Sequence, residues 1–134
     1  MISSELARAL RDSGLVWKPE VGDAFIIDRI EADSDVFYLS DLTIEAHSYT
    51  TGTVLGFNGT TEWALDSVAL EETLWLPHEH QLRERLGSTL VSLEPSWVVT
   101  VLIDGTALRF EADAAADAYA RALIHLLDSF RAEA

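Results

Sequence analysis

The sequence predicts an α+β fold, with a mostly antiparallel sheet and N-terminal and C-terminal helices packed on it. Three observations carry that reading. Apolar residues recur at helical spacing at the start of the chain, near residue 80 and at the end. The stretches between them alternate apolar and polar residues with the period of two that a half-buried strand requires. Asn58-Gly59 and Asp104-Gly105 fall between such alternating runs, where tight hairpins turn.

The first element is a helix from Ile2 to Ser13. Leu6, Ala7 and Leu10 form its apolar stripe, Ser3 or Ser4 can cap its start, and Gly14 supplies a left-handed stop. Leu15-Val16-Trp17 leads into the turn Pro19-Glu20-Val21-Gly22-Asp23. That turn launches a strand from Ala24 to Ile30, with Phe25 and Ile27 on one face and Ala24, Ile26 and Asp28 on the other. The polar loop Glu31 to Asp35 precedes a second strand, Val36 to Leu39. A third, Leu42 to His47, sets Leu42, Ile44 and Ala46 against Thr43, Glu45 and His47.

The Asn58-Gly59 pair predicts a hairpin, because both residues tolerate the positive φ of a type I′ turn. Thr53, Leu55 and Phe57 would share a face of the incoming strand, and Thr61, Trp63 and Leu65 a face of the outgoing one. The alternative is a helix capped by Thr60 or Thr61 and running through Val68. Pro77 to Leu86 is a helix: Pro suits a first turn, Leu82 and Leu86 repeat at four, and Gly87 ends it. Trp97 to Asp104 and Thr106 to Ala112 form a second hairpin about Asp104-Gly105. The last helix runs from Asp113, its cap, to Arg131, with Ala116, Tyr119, Ala120, Leu123, Leu127 and Phe130 as its stripe.

Composition fits one domain over residues 1–134. The chain is 49% hydrophobic with three Pro and neither repeats nor linkers, and a chain of this size buries roughly two-thirds of its unfolded surface. It has no Cys, which removes disulfides, thiolate nucleophiles and Cys-type zinc sites. The start, MISSELARALRDSG, lacks the basic flank and apolar core of a signal peptide. The apolar run Trp97 to Ile103 is too short to cross a bilayer, so a cytoplasmic location is expected.

Twenty-three acidic residues against nine basic ones give a formal charge of −14. A nucleic-acid backbone or an anionic membrane needs clustered Lys and Arg, so neither is an expected partner. An acidic chain can also imitate DNA, but the even spread of carboxylates favours a solubilising surface.

The sequence contains no G-x-x-x-x-G-K-[ST], G-x-G-x-x-G or G-x-S-x-G motif, so no phosphate loop, dinucleotide site or serine nucleophile is expected, and no cofactor is implied. His78-Glu79-His80 holds potential metal ligands. Residues two apart on a helix diverge by about 200°, so this pair can share an ion only in an extended segment or at a helix start. No third ligand is evident. His47 lies near Asp41 and Glu45 with nothing to define a substrate, and His125 falls on the polar face of the last helix. Carboxylate pairs recur throughout so acidic a chain and single out no site.

The aromatics remain. Trp63 and Trp75 sit in polar surroundings, Thr-Thr-Glu-Trp and Glu-Glu-Thr-Leu-Trp-Leu-Pro, and an exposed Trp beside Leu and Pro marks a contact surface. Trp63, Trp75 and Leu76 are therefore the candidate partner-contact residues of a non-enzymatic interaction domain. The alternative is a small enzyme or ligand-binding protein using His47, His78 or His80 between sheet and helices. A homodimer through a sheet edge or apolar patch is left open.

The segment FNGTTEWALDS (57–67), followed by Leu74-Trp75-Leu76-Pro77 and Gln81-Leu82-Arg83-Glu84, resembles a family of small single-domain proteins from high-GC bacteria, actinobacteria especially. The resemblance runs from the LARALRDSGL start to the Ala-rich final helix. It implies no defined activity. Some members carry a pilus-assembly label, but the ATPases of that name look like much larger proteins with a nucleotide loop that this chain lacks, so only an accessory role is implied. Lys18 is the one lysine among nine basic residues, an Arg-rich balance that fits such a source.

Overall fold

The computed structural model describes residues 1–28, 36–39, 44–49, 52–57, 67–69 and 72–133, with the backbone alone described for 44–49, 52–57, 67–69 and 132–133. The fold is α+β, and every described strand pairing is antiparallel. The described strands form three three-stranded sheets. The chain divides into two compact units, one of residues 1–16 and 77–134 and one of residues 17–76.

The first unit opens with α1, Ser4–Asp12. Ser3 caps it by accepting the Leu6 N–H at 3.3 Å. At the other end Gly14, at φ 108°, donates to the Arg11 carbonyl while Leu15 donates to Leu10. This crossed pair of bonds satisfies two of the last carbonyls, and the left-handed residue it needs is cheap only as Gly. Helix α2 spans Glu79–Leu86, two residues later than the Pro77 start expected. Its N-cap is His78, whose N–H donates to Gln81 Oε1 at 2.8 Å, so a reciprocal cap rather than proline sets the start.

Leu90–Glu94, Val98–Ile103 and Thr106–Glu111 are strands we label β7, β8 and β9, in the order β7-β8-β9. The Asp104-Gly105 hairpin forms as the sequence predicts: Ile103 opposes Thr106, and both turn residues are left-handed, at φ 51° and 79°. Strand β7 was not foreseen. Its LVSLE stretch alternates imperfectly, and the ladder to β8 shifts register between Leu90 and Ser92, a bulge centred on Val91.

Helix α3, Ala115–Glu133, begins after the Asp113 cap expected and is the hub of this unit. It packs against α1, α2, β8 and β9. Five buried alanines (Ala115, Ala116, Ala118, Ala120 and Ala122) let these neighbours approach closely, and Tyr119, Leu123 and Leu126 fill the space between. Phe130, placed on the apolar stripe by its spacing, is 61% exposed and lies beyond Leu126, the last buried residue among the described side chains of the helix. Two long-range bonds tie α1 down: Ser3 N–H to Asp117 Oδ1 at 2.7 Å, and Arg131 Nη1 to the Asp12 carbonyl at 2.7 Å.

The second unit holds the remaining strands: β1 Ala24–Ile27, β2 Phe37–Tyr38, β3 Ile44–Tyr49, β4 Gly52–Phe57, β5 Ser67–Ala69 and β6 Thr73–Leu76. One sheet runs β2-β1-β6, with Phe25 opposite both Phe37 and Trp75. Ala24, Phe25 and Ile26 are all buried, so β1 is covered on both faces. The other sheet runs β3-β4-β5.

That sheet corrects the hairpin expected at Asn58-Gly59. A two-residue turn there would set Gly56 opposite Thr61, whereas Gly56 opposes Ser67. Strand β4 lies between β3 and β5. The turn and residues 61–66 lie outside the described residues. Ser67 and Val68 are in a strand and not in the alternative helix.

Candidate functional site

The expected contact residues separate. Trp63 lies outside the described residues. Trp75 and Leu76 sit on β6 and are 8% and 4% exposed, so they do not form the open surface their polar neighbours suggested. The reason is local packing: Trp17 stacks on Trp75 at 6.4 Å between ring centroids and 10° between planes, and Phe25 opposes Trp75 across the ladder.

A buried carboxylate organises this corner. Asp23 is 3% exposed. Its Oδ2 accepts the Trp17 indole N–H at 2.8 Å and the Glu20 N–H at 3.0 Å, while its own carbonyl accepts the Leu39 N–H at 2.9 Å. Trp17, Ile27 and Phe37 then pack around Phe25 and Leu39. The Pro19-to-Asp23 turn thus closes on its own side chain, and Asp23 is structural.

The histidines do not converge on a reaction. His78 and His80 meet at the start of α2, because the extended backbone of His78 (φ −70°, ψ 157°) brings their rings to 5.5 Å. The rings are stacked, 14° from parallel. Imidazole lone pairs lie in the ring plane, so in this arrangement the two rings cannot address one ion. No group of three or more His, Asp or Glu among the described residues could hold a metal. His125 is exposed on α3 with its ring 5.6 Å from Phe110. The side chain of His47, on β3, is outside the description.

The exposed aromatic of the described residues that spacing placed at the start of a strand is Trp97, 45% exposed. Glu94 opposes Val98 in the β7–β8 ladder, which leaves Pro95-Ser96-Trp97 as the connection. Ser96 and Trp97 both take left-handed backbone, at φ 69° and 56°. For residues with a Cβ this costs about 1–2 kcal/mol each. A glycine would relieve the strain, yet the sequence keeps a serine and its largest side chain there. The signal legible in advance was the dipeptide Pro-Ser, a turn former directly before the Trp. Val91 and Leu102, 61% and 48% exposed, are further apolar residues on the strands this turn joins.

No family model, curated protein or solved structure matches this chain.

No helix among the described residues is long and apolar enough to cross a membrane.

Proposed function

We propose that the chain is a non-enzymatic protein-interaction domain whose contact surface includes Trp97. The observation that supports this is the conjunction at the β7–β8 turn: a Trp nearly half exposed, held by strained left-handed backbone. Trp is the residue most enriched at the energetic centres of interfaces, and backbone strain kept against an easy glycine solution points to a use for the conformation. Trp63 remains a second contact candidate, while Trp75 and Leu76 are buried within their own unit. The partner is a protein, since a chain of charge −14 repels phosphate backbones and anionic lipid. The resemblance to small proteins of high-GC bacteria belongs to the same proposal and adds an accessory role without an activity.

The test uses tethered wild-type chain and its Trp97→Ala variant to capture proteins from extracts of the source cells. Each captured protein is then purified and titrated against both chains by calorimetry. Loss of a central Trp should weaken true partners about tenfold or more, while Arg83→Ala, exposed on α2, should change nothing. A folded Trp97→Ala chain that binds every captured protein as tightly as wild type overturns the assignment.

A further inference from the structure

The sheet β7-β8-β9 has two edges, and they are not alike. Strand β7 is broken by the bulge at Val91, which twists an edge and disfavours addition of another strand. Strand β9 pairs with β8 through six consecutive positions without a shift, from Ile103–Thr106 to Val98–Glu111. Within its unit no described strand lies on its other side. A regular edge of this kind presents alternate N–H and C=O groups to an incoming strand.

The side chains along β9 select the strand. Thr106, Leu108 and Phe110 alternate with Ala107, Arg109 and Glu111. In an antiparallel pair of two identical copies centred on Phe110, Phe110 opposes Phe110, and Arg109 of each copy opposes Glu111 of the other. Opposite charges directly across a ladder are favourable, and here the two-fold axis makes the pair twice. Arg109 is exposed and already reaches Glu94 at 3.5 Å. Its guanidinium has five donors, so it can serve Glu94 and the incoming carboxylate together.

We propose that two copies of this chain associate edge to edge through the last three residues of β9, Arg109–Glu111, in the register centred on Phe110, which joins the two three-stranded sheets over that short overlap. The charge complementarity of Arg109 and Glu111 is the argument for a second copy as occupant. The proposal is independent of the role given to Trp97.

Charge-swap variants followed by sedimentation equilibrium over the micromolar to millimolar range test it. Wild type should show a concentration-dependent dimer. Arg109→Glu makes the chain more acidic and Glu111→Arg makes it less so, yet each should raise the dimer midpoint about tenfold, and the double swap R109E/E111R should restore it. Generic repulsion between acidic chains predicts opposite effects of the two single changes and would overturn the proposal, as would a wild-type chain monomeric throughout. A second measurement exploits the absence of Cys. Mixed Arg109→Cys and Glu111→Cys chains, oxidised together, should cross-link to each other in preference to themselves, because directly opposed positions fall within disulfide reach. Equal self- and cross-linking refutes the register.

Discussion

Replacing Asp23 by alanine should destabilise the unit of residues 17–76 by about 3 kcal/mol. The carboxylate is 3% exposed and accepts from the Trp17 indole at 2.8 Å and the Glu20 N–H at 3.0 Å. Hydrogen bonds to a charged acceptor contribute about 1.5–3 kcal/mol each, which bounds the loss at roughly 3–6 kcal/mol. Removing the carboxylate also removes the cost of holding a charge out of water, which brings the expectation to the lower end of that range. Urea unfolding followed by far-UV circular dichroism measures the total. Hydrogen exchange at the Leu39 amide, bonded to the Asp23 carbonyl at 2.9 Å, reports the same unit independently of the other. Trp17→Phe keeps an aromatic ring against Trp75 and Phe25 but deletes the indole donor. The double-mutant cycle should therefore return a coupling of about 1–2 kcal/mol. An Asp23→Ala chain within about 0.5 kcal/mol of wild type, or a cycle with no coupling, would show that the turn does not depend on this side chain.

Leu82, with no exposed surface on α2, should cost about 2–5 kcal/mol as Leu82→Ala, read as a fall in the urea midpoint at unchanged slope. Ser96→Gly removes a Cβ at φ 69° and should raise the melting temperature, the strain relieved exceeding the entropy glycine adds to the unfolded chain by about 0.5–1 kcal/mol. A lowered melting temperature for this variant would mean that the serine side chain holds the turn.

Elements whose ends are set by local chemistry were legible in the sequence. The Ser3 cap, the Gly14 stop and the Asp104-Gly105 turn need only neighbours a few residues away, and all three stand where the sequence places them. Readings that depended on distant residues fared differently. Asn58-Gly59 carries the stronger turn signal of the two, yet β4 pairs with Ser67–Ala69, a choice made by the whole β3-β4-β5 sheet. Trp75 follows two glutamates and a threonine, which suggests exposure, but Trp17 covers it from almost sixty residues away. The exposure of Trp97, at the start of its strand, is set by the left-handed turn it belongs to. Neighbours in sequence were the wrong guide for Trp75, because side-chain exposure is decided by what the fold brings near.

The first unit is interrupted in sequence: its α1 is separated from α2, the β7-β8-β9 sheet and α3 by the whole of residues 17–76. The bonds that seat α1 span 114 and 119 residues, from Ser3 to Asp117 and from Asp12 to Arg131. During synthesis α1 is made before α3, so these bonds can form only once α3 has followed. Closing so long a loop slows assembly, but its entropy grows only with the logarithm of length, at about 0.6 kcal/mol for each doubling. The first unit is therefore almost indifferent to how long the intervening segment is, which leaves that segment room to change in length and sequence while the surface bearing Trp97 and β9 stays as it is.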